Sequence, residues 1–384
     1  MVMKGQDMYT FDERLQRVYQ RRNPWGISAA ASWRTGAIKN ASIANESFAI
    51  DEAIKSTSSI ERMVLTAMCP VDPECVRKSL DAGEKVKEFL KSAFTKRSLR
   101  VPTFEYQGSV VANTQIKGAS DIDLLVINCA SFGWDSVGVK KALDEEKTHV
   151  PMSSDGVKLQ QLVDTPAYKG NSISDIKEQR SVCEECLKAV YSDCNVAKGK
   201  SIQILHKTYD QKVDVVNCTW YDNVESVIHD KQKPYRGIRI FDKRADRWMQ
   251  DDYPFKKIRL MDERDEKTGG HFKELIRLLK TIKADVVACE DLSSFDIYSI
   301  VYAMPMSKYS KLSGKELVHE VSKFINAIAA NRNWADTILQ LDCAESVFKG
   351  NDKKFKSLQA LDKDLSEICI ELQKIGPHKS RVYM

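Results

Sequence analysis

One segment limits the folds open to this chain more than any other: Ser120-Asp121-Ile122-Asp123-Leu124-Leu125-Val126-Ile127-Asn128. The apolar run reads as a buried strand with a short polar start. Alternate residues of a strand point to one side, so Asp121 and Asp123 present two carboxylates together while Ile122 and Leu124 face the core. Two like charges so close repel unless a cation sits between them. Magnesium takes hard oxygen ligands and is commonly held by one or two carboxylates plus phosphates. Eleven residues upstream of the pair, the strand-like VPTFEYQ ends in Gly108-Ser109. Free backbone N–H groups at such a turn cradle phosphate oxygens, and VVANTQ is expected to form a short helix from there.

A third acid is wanted for two-metal phosphoryl transfer, in which the ions sit about 3.5–4 Å apart. Asp214, in Lys-Val-Asp-Val-Val, is a lone acid inside an apolar strand. Burying an acid without a partner is costly. Placed beside the first strand it completes a triad; placed elsewhere it pairs with a nearby lysine.

The rest of the chain reads as an α+β lobe followed by a helical one. Residues 7–22 form a basic helix. Asp81 with Glu84 has the capping-box spacing, so a helix is expected from residue 81 to about 97, with Val86, Leu90 and Phe94 on one face. KSIQILHKTY and KVDVVNCTW flank Asp210-Gln211 as a hairpin. GIRIFDKRADRWMQDDYP reads as a short strand and then a loop. From about residue 270 the period is helical, with Phe272, Leu275, Ile276, Leu279 and Ile282 on one face. Ser313 with Glu316 starts a further helix, and a last one carries Leu358 through Ile375 and stops at Gly376-Pro377. The expected division is 1–268 and 269–384, with a cleft between.

Composition sets outer limits. With 384 residues, 42% of them hydrophobic, the chain can bury a sizeable core. A net charge of +5 suits a polyanionic ligand but does not require one. No stretch is long and apolar enough to span a bilayer, and the start lacks a signal-peptide core, so a cytoplasmic protein is expected. Ten scattered cysteines fit reduced core residues. The tight pair Cys183-Glu-Glu-Cys186 lacks the second half-site of a zinc knuckle and reads as helix.

In the helical lobe, Lys273, Arg277 and Lys280 share one flank. They form either a solvated basic side or a clamp for a triphosphate. Ser293-Ser294-Phe295 follows, offering a hydroxyl and an aromatic face. Stacking of a base on such a ring is worth roughly 1–3 kcal/mol.

Gly108-Ser109, Asp121-Ile122-Asp123-Leu124 and Val213-Asp214-Val215-Val216 together resemble the DNA polymerase β-like nucleotidyltransferase superfamily. The helix FKELIRLLKTIK followed by LSSF resembles its cyclic-oligonucleotide-synthase branch, the CD-NTases. This resemblance implies a mixed β-sheet core with helices, a C-terminal helical lobe and an active site in the cleft. It implies that Asp121 and Asp123 bind two Mg2+ ions, for which Mn2+ could substitute. Asp214 would bind the catalytic ion and help deprotonate the acceptor hydroxyl. Gln107, Gly108 and Ser109 would hold the β and γ phosphates, Lys280 and Ser294 would steady the triphosphate, and Phe295 would stack on a base. The substrates would be NTPs, ATP being expected as one, joined into a cyclic di- or trinucleotide for antiphage signalling. A downstream effector would bind the product. No zinc ribbon of the animal type is present, so nothing in the sequence supports double-stranded DNA sensing. Two alternatives stay open: transfer to an RNA end or a protein hydroxyl, and a non-catalytic nucleotide binder.

Overall fold

The computed structural model describes residues 9–22, 58–118, 120–148, 151–342 and 345–375. Among the described residues three helices come before the first strand: α1 (Phe11–Arg22), α2 (Ser59–Met68) and α3 (Pro73–Lys96). Strands β1 (Thr103–Gln107) and β2 (Ile122–Trp134) follow, then α4 (Ser136–Glu146), α5 (Ser154–Val163) and α6 (Ser172–Val190). Next come β3 (Cys194–Asn195), β4 (Ile202–His206), β5 (Gln211–Asp222), α7 (Val224–Ile228), β6 (Gly237–Asp242) and β7 (Arg247–Asp252). The remainder is helical: α8 (Pro254–Lys267), α9 (His271–Asp285), α10 (Ser294–Ala303), α11 (Gly314–Ala330), α12 (Arg332–Ala335) and α13 (Asp352–Lys374). Among the described residues no helix is long and apolar enough to cross a membrane.

These elements form two compact units. One is Cys75–Ala112 with Ala119–Leu260; the other combines the described residues up to Glu74, Asn113–Gly118 and the chain from Met261 onward. The expected division at residue 268 therefore differs from the observed grouping, in which α1 and α2 belong with the C-terminal helices.

The first unit is built on a seven-stranded mixed sheet of order β1-β2-β5-β4-β3, with β6 on β5 and β7 on β6. β2 and β5 run parallel and the other pairs antiparallel. β5 is long enough to serve two neighbours in turn: Gln211–Val215 pairs with β4, and Cys218–Tyr221 pairs with β6. Strand alternation sorts the side chains into two cores. Ile122, Leu124, Val126, Val213 and Val215 pack with Val86, Leu90 and Phe94 of α3 and with Val182, Cys183 and Leu187 of α6. Leu125, Ile127, Val216, Cys218 and Ile238 pack on the opposite face with Phe255. Cys183 and Cys186 are buried helix residues, as expected, and burial pushes the Cys183 thiol up.

Three local expectations need correction. The Asp81 pattern does not start a helix: α3 begins eight residues earlier, at Pro73, and Asp81 instead pairs with Arg77 one turn back at 2.6 Å. Cys75, Ser79 and Ala82 extend its buried stripe, which outweighs a cap written inside it. VVANTQ is a set of turns closed by Ala112 N–H to the Gly108 carbonyl at 3.2 Å, not a helix. The loop after GIRIF contains β7, so the segment is a β6–β7 hairpin. Its turn is made by Asp242, whose Oδ1 accepts from Arg244 N and Ala245 N at 2.9 and 3.2 Å.

The helical unit is organised around α9. Phe272, Leu275, Ile276, Leu278, Leu279 and Ile282 are all fully buried, which is a wider apolar surface than the single face of a surface helix. α1 is fastened to this unit by charge. Arg14 makes a bidentate pair with Asp364 at 3.0 and 2.7 Å, and Arg17 and Arg21 reach Asp285 at 3.1 and 2.7 Å. The Gly376-Pro377 stop lies outside the described residues, and α13 ends at Lys374.

Candidate active site

The expected residues of the sheet unit meet at one end of the sheet. Asp123 lies in register beside Asp214 on parallel β2 and β5. Gln107, the last residue of β1, is in register with Asp123 from the other side. Alternation places both acids on the face of Leu125 and Val216, close to the start of their strands. Asp121 stands just before β2, exposed, and accepts from Gln203 Nε2 at 3.3 Å.

Gly108 is required by this geometry. Its φ is +88°, and a Cβ added there would stand 2.2 Å from Asp123 Oδ2. The turn thus brings backbone against the central carboxylate, which only glycine permits. Ser109 follows it, half-buried, on the turn that Ala112 closes.

Charge is concentrated here. Burial first, then the neighbouring Asp214 and Asp121 carboxylates, push Asp123 up to about 7, while Lys198 pulls the other way. Asp214 Oδ1 accepts from Ser201 Oγ at 3.2 Å and faces Lys198 Nζ at 3.6 Å. Among the described residues no group of three or more acid, histidine or cysteine side chains stands close enough together to hold a metal ion by itself. Asp123 and Asp214 are strand neighbours, and Asp121 and Asp214 each accept from a protein donor. Hard oxygen donors that destabilise one another in a buried setting fit divalent cations such as Mg2+. Asp121, Asp123 and Asp214 would hold them.

Lys198, Ser201 and Gln203 went unnoticed in the sequence. The available signal was periodic: Gln203 is in register with Asp214 on antiparallel β4. Lys198 and Ser201 precede that strand and carry no pattern of their own.

The other three expected residues belong to the helical unit. Lys280 is buried, its ammonium donating to the Thr114 carbonyl at 2.7 Å and lying 3.4 Å from Tyr298 Oη. Arg277 donates to the carbonyls of Met68 and Asn113 at 2.6 and 2.8 Å, and Lys273 pairs with Asp262 at 2.6 Å. The basic flank of α9 therefore serves the protein's own backbone and an acid rather than forming a solvated stripe. Burial, followed by the charges of Lys283 and Arg277, pushes Lys280 down to about 7. Ser293 caps α10 in a box with Asp296, which leaves Ser294 as the first helical residue, half-buried. Phe295 is 48% exposed, standing edge-on to Tyr298 with centroids 5.7 Å apart.

Residues 259–369 match the cGAS/DncV-like nucleotidyltransferase C-terminal helical domain. A c-di-GMP synthase of Capnocytophaga granulosa is 35% identical over 315 residues, covering 81% of this chain and 87% of the relative. A c-di-GMP synthase of a Lachnospiraceae bacterium is 32% identical over 317 residues, covering 82% and 88%. The chain belongs to the CD-NTase family of nucleotidyltransferases. The solved structure of a STING-associated CdnE c-di-GMP synthase from Flavobacteriaceae sp. superposes with a TM-score of 0.81 at 27% identity, over 96% of this chain and 100% of that one. The CD-NTase fold thus spans nearly the whole chain, including the polymerase β-like core and the C-terminal helices expected from sequence.

Proposed function

We propose that this CD-NTase condenses two GTP molecules into c-di-GMP, releasing two pyrophosphates, as a second messenger in antiphage signalling. The observation that carries the reading is the register of Asp123 beside Asp214, with Gly108 turned against Asp123. The choice of GTP over the expected ATP rests on relatives named for c-di-GMP at 35% and 32% identity.

In each round a ribose hydroxyl oxygen attacks the α-phosphorus, and the bond to the bridging oxygen of the leaving pyrophosphate breaks. The second round closes the ring. Magnesium ions bound by Asp121, Asp123 and Asp214 would lower the pKa of the attacking hydroxyl and offset charge on the phosphates. The backbone at Gly108-Ser109 holds the β and γ phosphates through N–H groups, with Gln107 alongside. Asp214 orients toward the acceptor and takes up its proton at the carboxylate. Within the helical unit, Ser294 offers a hydroxyl and the exposed ring of Phe295 a face on which a base can stack. Lys280 acts through the carbonyl of Thr114, five residues beyond Ser109, steadying the chain that leaves the phosphate turn.

The test is incubation with the four NTPs and Mg2+, followed by phosphatase and mass spectrometry. A phosphatase-resistant product formed from GTP alone is expected. A resistant ring containing another base would correct the substrate, and linear products only would sink the cyclase reading. Label transferred to added RNA or protein would favour the acceptor-modifying alternative.

A further inference from the structure

The short segment between β3 and β4, residues 197–201, is unusually well fixed. Arg180 of α6, with a side chain 2% exposed, donates through one nitrogen to the carbonyls of Lys198 and Ser201 at 3.1 and 2.9 Å. Glu184 orients that guanidinium at 2.8 Å and is itself gripped by Lys243 Nζ at 2.8 and 2.7 Å. The Lys243 N–H donates to the Gly199 carbonyl at 3.0 Å, and Arg244 Nε to the Ala197 carbonyl at 2.8 Å. Asn195 Oδ1 accepts from Ala197 N at 2.9 Å. A Cβ on Gly199 would stand 2.3 Å from Asp242 Oδ1, so the segment lies tight against the β6–β7 turn. Four of its five carbonyls are thus engaged by positioned donors, and its backbone has little freedom to shift.

Two side chains leave this strap for one oxygen. Ser201 Oγ and Lys198 Nζ both address Asp214 Oδ1, at 3.2 and 3.6 Å. The lysine is 39% exposed, while the carboxylate is only 16% exposed. The Lys198 head group can therefore move into solvent while Asp214 stays in place.

We propose that Lys198 is a positioning residue that competes with the divalent cation for Asp214. Resting on the reading of Asp214 as a metal ligand, the inference makes the strap a built-in threshold for metal loading. The ammonium balances the carboxylate cluster, and a metal must displace it to gain Asp214. Ser201 keeps the carboxylate oriented through the exchange, since a hydroxyl can remain hydrogen-bonded to a metal-bound carboxylate while an ammonium beside a metal ion is repelled. The buried Arg180–Glu184 pair makes this an exchange at a fixed point rather than a movement of the loop.

The experiment uses full-length wild type, Lys198→Met, Lys198→Arg and Asp214→Asn, titrated with Mn2+ and followed by the spin-resonance signal of the free ion. Melting curves are recorded in EDTA and in Mn2+. Lys198→Met is expected to bind Mn2+ roughly two- to fivefold more tightly, the range that a half-exposed ion pair supplies. It is also expected to melt lower than wild type in EDTA and to gain more from Mn2+, while Lys198→Arg follows wild type. A merely structural lysine would lower both melting curves equally and leave the affinity alone. Equal or weaker Mn2+ binding by Lys198→Met overturns the inference while leaving the metal site standing, provided that Asp214→Asn lowers the affinity. If wild type and Asp214→Asn bind Mn2+ equally, or neither binds it, the metal reading of Asp214 fails and this inference goes with it.

Discussion

At the scale of single residues, the site joins a costly feature to a permissive one. Asp123 is placed where burial and two neighbouring carboxylates oppose its charge, and Gly108 gives up a side chain so that backbone can approach it. Replacing Asp123 with Asn keeps the shape and removes the charge. Turnover is expected to fall by about a hundredfold or more, since metal-borne charge stabilisation is worth several kcal/mol. The melting temperature should hold or rise, and a collapse of the melt would show the acid to be structural. Gly108→Ala has no comparable escape. It places a side chain at positive φ and against Asp123 Oδ2, so a loss of more than about 1 kcal/mol in denaturant unfolding is expected, along with loss of product. Lys280 supplies a pH signature. Its folded value is pushed down to about 7 from 10.5, so between these two the unfolded chain carries a proton that the folded chain lacks. Stability from this group therefore rises with pH across that window and is lowest below about 7. In a calorimetric pH series, wild type should gain on Lys280→Met from pH 7 upward; parallel curves would refute the buried, partly neutral amine.

At the scale of elements, ion pairs do work that apolar periodicity cannot reveal. The α1 helix was expected from its residues, but its anchor was not, because Asp285 and Asp364 lie far along the chain. Asp285 has a side chain only 2% exposed and serves Arg17 and Arg21. Asp285→Ala removes the carboxylate from two partly exposed cations, and a loss of about 1–3 kcal/mol is expected, the range for hydrogen bonds to charged groups. Hydrogen exchange should show the amides of α1 opening first, and unchanged protection there would contradict the anchor. The Asp81 pattern shows the opposite error. A capping box is only a local option, and the buried face running from Cys75 to Phe94 carried the helix straight through it. β7 was missed for a related reason: Arg247-Trp248-Met249-Gln250-Asp251-Asp252 has little strand propensity and forms because β6 offers an unpaired edge.

At the scale of the whole molecule, both compact units are discontinuous in sequence. The helical unit draws on the start and the end of the chain, with Asn113–Gly118 supplied from the middle. Arg277 and Lys280 hold that middle segment by the carbonyls of Asn113 and Thr114. Fragment 269–384 lacks α1, α2 and this segment. It is therefore expected to unfold without cooperativity and to bind a dye for exposed apolar surface, whereas the full chain should not. A cooperative melt of the fragment would show that the C-terminal helices form a complete domain alone.

The sequence by itself determined the parts whose signals are local. Alternation in Ile122-Asp123-Leu124-Leu125 put Asp123 on the strand face opposite Ile122 and Leu124, Gly108 had the freedom its turn demanded, and the 3.6-residue period marked α9, α11 and α13. These depend on neighbours a few residues apart, which any chain of this order would present. Only the tertiary structure set β5 beside β2 so that Asp214 met Asp123, turned Arg277 and Lys280 inward to backbone carbonyls, and delivered Lys198 to Asp214 on a strap held by Arg180. Each of these joins groups that do not share a single strand or helix. Such pairings are selected by the burial and charge balance of the assembled fold, which no short window of residues contains.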